Sequence, residues 1–332
     1  MISEVIFISK KFLIITAFVI PLLCMGSLLI GSSSISFKVL MDGLLFRDAK
    51  SANLVYELRM PRLLLTIMVG YSLSISGFLM QTVSKNKLVS PSMVGIIDGA
   101  LMGVVLSQLW NLNFSFVTPI AAILGALITV GFVYCIAGAI PGGFVKTRFV
   151  LIGIIVSNVI GSLANLISIK LSFFQEANLF FLGTVSNAKW WDVNTVLISI
   201  LITAIPLVYL LTQLNGFYLN EDMLHSLGKP VKLIKILSFT VASILSAVSI
   251  SVVGKINFVG LIIPNIVYMF RITSPAKQLF LNTIISMYFM LISDILSKLI
   301  KYPYETQISF VISFIGIPFF FYIIKKQGDQ NE

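Results

Sequence analysis

The chain has 332 residues, of which 58% are hydrophobic and only 11% are charged, and its net charge is +10. A soluble domain carries roughly 25% charged residues, so this composition excludes an ordinary water-soluble globular protein and favours a surface that faces lipid. The Lys and Arg residues lie singly or in pairs between apolar runs, a distribution typical of anchoring at lipid headgroups rather than of nucleic-acid binding.

Apolar stretches long enough to form spanning helices recur along the whole chain. A spanning helix needs about 20 residues, and the pattern predicts an all-α, polytopic membrane protein with about ten transmembrane helices. The eighth stretch is too short to cross alone and contains Pro264, so we expect a broken or half helix there. The predicted spans are residues 12–31, 61–82, 91–110, 116–138, 148–169, 192–212, 232–253, 258–271, 278–297 and 306–324.

Long connections separate some of these spans. Residues 32–59 are rich in charge, and residues 170–191 end at the pair Trp190–Trp191, which is typical of a membrane interface. In residues 213–231 a short helix is predicted to begin at the N-cap Asn220 and to stop at Gly228. Both acids of its first turn, Glu221 and Asp222, favour the N-terminus of a helix.

Two carboxylates, Asp98 and Asp294, fall inside predicted spans. An intramembrane carboxylate is costly and is therefore a functional candidate. The alternative is a hydrogen bond to a neighbouring helix, which we favour for Asp294 and expect for Asp98. Asn158 and Asn165 share one face of the fifth span, where they either bond another helix or line a polar pathway.

No pattern in the chain indicates catalysis, a metal site or a cofactor. A Gly-x4-Gly-Lys-Ser/Thr phosphate loop is absent, and the single histidine, His225, has no metal-ligand partner at a suitable spacing. The scarcity of titratable groups within the spans argues against a proton- or sodium-driven carrier. We therefore predict a non-enzymatic transport protein that is energised by another subunit.

Several ordered motifs resemble the permeases of the ABC importers for iron-siderophores, haem and cobalamin, the FecCD-type or type II importers. They include Arg59-Met-Pro-Arg62, the small-residue run that leads from Val69 to Gln81, and Asn86-Lys-Leu-Val-Ser-Pro91. Because many matches occur in one order, the resemblance covers nearly the whole chain. The further matching segments are residues 148–153, 182–183 with 190–191, 219–228, 253–264 and 315–320.

The resemblance implies one transmembrane permease domain over residues 1–332, located in the cell membrane with both termini in the cytoplasm. It implies two cytoplasmic ATPase partners, a second permease and an extracytoplasmic substrate-binding protein or lipoprotein. Residues 220–228 then form a cytoplasmic coupling helix, and residues 32–59 and 170–191 form extracytoplasmic loops. The ATPases hydrolyse ATP, whereas the permease itself needs no cofactor and binds no nucleic acid.

Site residues follow from the same resemblance, position by position. Arg59, Arg62 and Lys298 are expected to dock the binding protein, with headgroup anchoring as the alternative. The coupling helix is expected to contact the ATPase, and a further set is expected to close or line the cytoplasmic end of the pathway. The coupling residues are Asn220, Glu221, Asp222, Leu224, Leu227 and Gly228, and the gate or pathway residues are Gln81, Asn86, Leu88, Lys146, Thr147 and Asn158.

Some positions depart from the usual pattern of the resembled family. Lys87 stands where most members have Pro, Asn265 where they have His, Tyr268 where they have Arg, and Glu305-Thr-Gln replaces Glu-Leu-Pro. The Asn86-Lys87, Asp98 and Pro264-Asn265 variants resemble a subgroup associated with catecholate-type ferric siderophores and with two non-identical permeases. We therefore expect a ferric siderophore, with a haem or cobalamin permease, or an ion-coupled secondary transporter, as alternatives.

Overall fold

The computed structural model describes residues 10–31, 35–109, 116–142, 146–170, 180–217, 221–226 and 228–328, and within these ranges the regular elements are helices without a strand. The fold is therefore all-α, as predicted. The helices are α1 (Lys10–Leu29), α2 (Phe37–Leu44), α3 (Ala49–Asn53), α4 (Met60–Ser84), α5 (Ile96–Leu109), α6 (Val117–Ala139), α7 (Lys146–Lys170), α8 (Trp190–Leu214), α9 (Glu221–Ser226), α10 (Val231–Val253), α11 (Val259–Met269), α12 (Pro275–Leu299) and α13 (Ile308–Gly328).

Six helical stretches of the described chain are long and apolar enough to cross a bilayer, and shorter apolar helices occupy the other predicted spans. Each of the ten predicted spans thus coincides with an apolar helix, but the count of ten crossings is not confirmed. The long stretches are Ala49–Ser84, Val117–Ala139, Arg148–Lys170, Trp190–Leu214, Val231–Val253 and Pro275–Leu299; the shorter ones are Ile15–Leu29, Ile96–Gln108, Val259–Met269 and Ile308–Phe321.

Helix α4 is the central element of the bundle. It continues α3 through a π-helical segment, Leu54–Arg59, and most of its length is buried among α8, α10, α11 and α12. Its serines bond to two of these neighbours: the Ser74 hydroxyl donates to Asn282 Oδ1 at 3.1 Å, and the Ser76 hydroxyl donates to Ala242 O at 2.8 Å. Small polar side chains therefore hold α4 close to its partners, as is usual between helices in lipid.

Helix α11 has only 11 residues and starts inside the protein, where Phe258 takes a left-handed conformation at φ +68°. At 1.5 Å per residue it is about 16 Å long, roughly half of a bilayer core. Its first turn crosses α4 so closely that a Cβ added to Gly77 would lie 1.8 Å from the carbonyl oxygen of Gly260. The predicted half helix is confirmed, and the contact explains why Gly77 carries no side chain.

A test of this contact is the substitution Gly77→Ala. The added methyl group meets backbone rather than a flexible side chain, so α11 must move away from α4, and overpacking of this kind costs about 1–3 kcal/mol. We expect a lower unfolding temperature for the detergent-solubilised variant. Gly131→Ala on α6 is the matched control, because a Cβ there meets no atom within 4 Å. Equal unfolding temperatures for the two variants would contradict the close packing.

Candidate functional sites

A buried ion network joins α4 to α12 and to the segment that follows α12. The guanidinium of Arg62 donates from Nε to Asp294 Oδ1 at 2.9 Å and from Nη1 to Glu305 Oε2 at 2.6 Å. The ammonium of Lys298 lies 2.6 Å from Asp294 Oδ2. Asp294 is fully buried, so both of its oxygens face a cation rather than water.

Helix α1 is tied into the same network. The Ser27 hydroxyl donates to Asp294 Oδ2 at 2.7 Å, and the ammonium of Lys298 donates to the Ser27 carbonyl at 2.9 Å. The preferred interpretation of Asp294, a hydrogen bond to a neighbouring helix, is therefore confirmed. These contacts, together with the hydroxyl of Ser186, which donates to Glu305 Oε2 at 2.8 Å, define what we call the Arg62 cluster.

The three predicted docking residues lie together, but they are not three exposed charges. Arg62 and Lys298 are both buried, and Arg59 is half-buried, with its guanidinium donating to the Leu28 carbonyl in the last turn of α1. Carbonyls of that turn lack partners within the helix, so Arg59 caps α1. A cavity of about 180 Å³ opens among these groups and is lined by Ser27, Ile30, Gly31, Leu54, Leu58, Arg59, Arg62, Ser186, Lys298 and Glu305.

Glu305 lies outside the spanning helices, at the edge of this cavity. Partial burial would raise the pKa of its carboxyl, but the charge of Arg62 and the bonds from Ser186 and Arg62 outweigh burial and leave the pKa below its ordinary value. Because the pKa of Glu305 is lower in the folded protein, its contacts stabilise the fold fully at pH values above the pKa of this carboxyl in the unfolded chain. This stabilisation is lost as the pH falls through the folded-state pKa of Glu305. The carboxylate is therefore charged at neutral pH.

The second intramembrane carboxylate, Asp98, lies in the first turn of α5, and both of its oxygens are bonded. The Lys255 ammonium lies 2.5 Å from Asp98 Oδ1, and the Ser157 hydroxyl of α7 donates to Oδ2. The expectation that Asp98 is hydrogen-bonded to a neighbouring helix is confirmed. Its cationic partner was missed, because Lys255 lies far away in the sequence, in the link between α10 and α11, and no spacing rule connects the two.

Several predicted gate residues surround the end of α4. Gln81 is buried and donates to Gly260 O at 3.2 Å, so it fastens α4 to α11. Asn86 Oδ1 accepts from the Leu88 amide at 3.0 Å and thereby stabilises the turn after α4. Asn158 is exposed on α7, beside the buried Ser157, whereas the side chains of Lys146 and Thr147 lie outside the described residues.

The positions that depart from the resembled family meet at this same turn. The Asn265 side-chain amide donates to Lys87 O at 2.8 Å, and the Lys87 ammonium lies 5.7 Å from the centre of the Tyr268 ring, a cation–π distance. The hydroxyls of Tyr268 and Thr82 are 3.1 Å apart. We call Thr82, Lys87, Asn265 and Tyr268 the Lys87 cluster. The sequence shows four separate departures, and three of them are connected here, since Asn265 and Tyr268 both contact Lys87.

The predicted coupling segment contains the short helix α9, from Glu221 to Ser226. Leu224 is fully buried in the main hydrophobic core, whereas Met223 is 56% exposed, so Met223 rather than Leu224 can meet a partner surface. Gly228 is exposed and has φ +70°, which suits its predicted role as a helix stop. Asn220 and Leu227 lie outside the described residues, as do the side chains of Glu221 and Asp222.

Lys229 connects the start of α10 to the end of α8. Its ammonium donates to Gln213 O at 2.7 Å and to Asn215 O at 2.5 Å, and thus satisfies carbonyls at the C-terminus of α8. Met223 and Lys229 were both missed as site residues. The patterning of a six-residue helix does not show which of its apolar side chains faces inward.

Across the described ranges, no three His, Cys, Asp or Glu side chains come close enough to hold a metal ion. The acids that are buried are instead paired with Lys or Arg. The described sites consist of ion pairs, helix caps and contacts between helices.

Comparison with known proteins gives consistent results over nearly the full length. Residues 18–326 match the FecCD transport family. The iron-uptake system permease protein FeuB of Bacillus subtilis is 29% identical over 97% of this chain and 98% of its own length. The Fe(3+)-citrate import system permease protein YfmD of Bacillus subtilis is 30% identical over 96% of each chain.

A solved structure shares the fold. A metal-chelate type ABC transporter in an inward-facing conformation superposes with a TM-score of 0.81, covering 96% of this chain and all of the other, at 23% identity. At this identity the likeness concerns the arrangement of the helices alone. It agrees with the all-helical bundle described above.

A test of the Arg62 cluster is the substitution Asp294→Asn. The change leaves Arg62 and Lys298 buried without their shared anion, and removal of one partner from a buried ion pair costs about 3–5 kcal/mol. We expect a marked loss of thermal stability in detergent. The control is Asp42→Asn, whose pair with Arg47 is exposed and long at 3.9 Å and should contribute less than about 1 kcal/mol. A comparable loss in both variants would contradict the assigned role of Asp294.

Proposed function

The chain belongs to the FecCD transport family, and from this membership we propose that it is the translocation subunit of an ATP-driven importer for a ferric siderophore. The match over residues 18–326 is the observation that carries the proposal. Both relatives reported above are named as permease proteins of iron import systems. The chain is a multi-pass membrane protein with a transport role, and the hydrolysis of ATP belongs to other subunits.

The proposed assembly contains two copies of a cytoplasmic ATPase, a second permease and an extracytoplasmic binding protein or lipoprotein. We favour a non-identical second permease. Helix α7 supports the presence of a neighbour, because Asn158 and Asn165 are exposed along it among apolar side chains. A polar stripe on a spanning helix suits a pathway between two permeases better than it suits lipid.

The proposed orientation places α9 and both termini in the cytoplasm and the Arg62 cluster at the extracytoplasmic end, where Arg59, Arg62 and Lys298 would dock the binding protein. Gln81, Asn86, Leu88, Lys146, Thr147 and Asn158 are proposed to line or close the inner part of the pathway. Gln81 is itself buried, so it would contribute by holding α4 against α11, whereas the turn after α4, with the exposed Lys87, would face the pathway.

Coupling to the ATPase is proposed to run through α9. Its outer face presents Met223, while Leu224 anchors the helix in the core. Motion of a docked ATPase would therefore be passed to α8 and α10, whose ends are joined by Lys229.

Substitution of Met223 tests this route. Met223→Glu places a charge at an apolar contact, and we expect it to abolish substrate uptake and stimulation of ATP hydrolysis while the permease stays folded and in the membrane. Met223→Leu is the control, since it keeps an apolar side chain of similar volume. Normal uptake by the Met223→Glu variant would exclude α9 as the coupling element.

The proposed substrate is a ferric complex of a catecholate or mixed-catecholate siderophore. Such complexes are usually anionic, and a positive potential at the pathway mouth attracts anions. Lys87 supplies an exposed ammonium there, which the Tyr268 ring holds in place. Lys146 is proposed to add positive charge at the same mouth, and its side chain lies outside the described residues. Lys255 is paired with Asp98 and contributes less.

The alternatives are a haem or cobalamin permease and an ion-coupled secondary transporter. A proton- or sodium-coupled carrier needs an intramembrane carboxylate that can exchange its ion. Asp98 and Asp294 are both bound by Lys or Arg side chains, which disfavours this use.

Uptake of radioactive iron by cells that lack other importers tests the substrate. Iron presented as a ferric catecholate should enter cells that express the complete importer, and it should not enter when Met223→Glu is present. Iron presented as a hydroxamate complex should enter more slowly, and labelled cobalamin should not enter. Uptake of hydroxamate complexes alone, or of cobalamin, would overturn the substrate while leaving the family assignment intact.

A further inference from the structure

The Arg62 cluster contains a carboxylate that the docking function does not need. We propose that Glu305 is an internal competitor: its carboxylate occupies Arg62 in the free permease and is displaced by an acidic side chain of the binding protein when that protein docks. The proposal rests on the proposed function, specifically on docking at Arg59, Arg62 and Lys298.

The two carboxylates of the cluster differ in accessibility. Asp294 is fully buried, and its oxygens are held by Arg62, Lys298 and Ser27. The side chain of Glu305 is 18% exposed, and its contacts with Arg62 and Ser186 converge on the single oxygen Oε2. An incoming carboxylate therefore meets Glu305 first, and Asp294 stays in place, bound to Arg62 and Lys298.

An incoming carboxylate can take the place of Glu305 at Arg62 Nη1 only if Glu305 leaves, because Glu305 Oε2 already accepts there at 2.6 Å. The cavity is lined by three cations, Arg59, Arg62 and Lys298, and by Glu305, and the buried Asp294 is bonded to Arg62 and Lys298. If Glu305 rotates out as another carboxylate enters, Arg62 keeps an anionic partner throughout. No buried cation is left unpaired, which avoids the large cost of breaking such a pair.

The backbone around Glu305 allows this rotation without rearrangement of the segment between α12 and α13. Thr306, the next residue, is fastened to the end of α12, because its amide and its hydroxyl both donate to Ser297 O, at 2.9 and 2.8 Å. Release of Glu305 thus needs only side-chain rotation and the loss of the bonds from Arg62 and Ser186. The segment itself keeps its position as part of the docking surface.

An internal competitor lowers the apparent affinity for the external ligand, because only the fraction of molecules with Arg62 available can bind it. Weakening the competitor should therefore strengthen docking. The opposite follows if Glu305 merely positions Arg62, since its loss would then disorder the guanidinium and weaken docking. The two roles predict changes of opposite sign.

The experiment measures association of the purified extracytoplasmic binding protein with the complete importer in lipid nanodiscs, at low and at high salt. Glu305→Gln removes the charge and should increase the association rate and the affinity about three- to tenfold at low salt, where charge effects at an interface rim are largest. Ser186→Ala loosens Glu305 without removing its charge and should give a smaller increase. Glu57→Gln, an exposed carboxylate close to Arg59 in the chain, controls for the change in net charge and should have little effect.

A fourth variant distinguishes a failure of the competitor role from a failure of the docking surface. Arg59→Gln removes the charge, and it should slow docking if the proposed docking surface is correct. Slower docking by Arg59→Gln together with unchanged or weaker docking by Glu305→Gln would overturn the competitor role and leave the docking surface standing. Unchanged docking by both variants would overturn the docking surface and the competitor together. Unfolding temperatures, measured in parallel, show whether Glu305→Gln preserves the fold.

Discussion

The carboxylate of Asp294 lies where no water reaches it, between the guanidinium of Arg62 and the ammonium of Lys298. In a lipid-embedded protein such a group is tolerated only when each oxygen is satisfied, and here α1, α4 and α12 supply the partners. The positions of Arg62 and Lys298 at one end of the bundle follow from this requirement. Glu305 and Ser186 then complete the outer side of the same network.

The opposite end of α4 is organised by backbone contact instead of charge. Gly77 lets the first turn of α11 lie against α4, and Gln81 and Asn265 then bond across the same interface. Since α11 begins inside the protein, the link before it brings Lys255 within reach of Asp98 on α5. The short helix and the link before it therefore connect the central element to α5.

Much of the architecture could be predicted from the sequence because it depends on apolar runs, whose length alone identifies spanning helices. The shortness of the eighth stretch and its Pro264 likewise indicated a half helix. Pairings such as Asp98 with Lys255, or Arg62 with Glu305, were not predictable, because they join residues that are more than 150 positions apart. The burial of Arg62 and Lys298 was not predicted for the same reason, because a charged residue near a helix end is expected to be exposed when its partners are unknown.

The contacts within the Lys87 cluster bear on how relatives of this protein can differ from one another. Lys87 contacts both Asn265 and Tyr268, so the effect of replacing one residue of this set depends on the others, and such effects are generally not additive. An arginine in place of Tyr268 would face the Lys87 ammonium with a like charge, whereas a proline in place of Lys87 would remove that charge. The residues at these positions are therefore expected to change as a set, and exchanging the whole set between two permeases should be tolerated better than exchanging any single member.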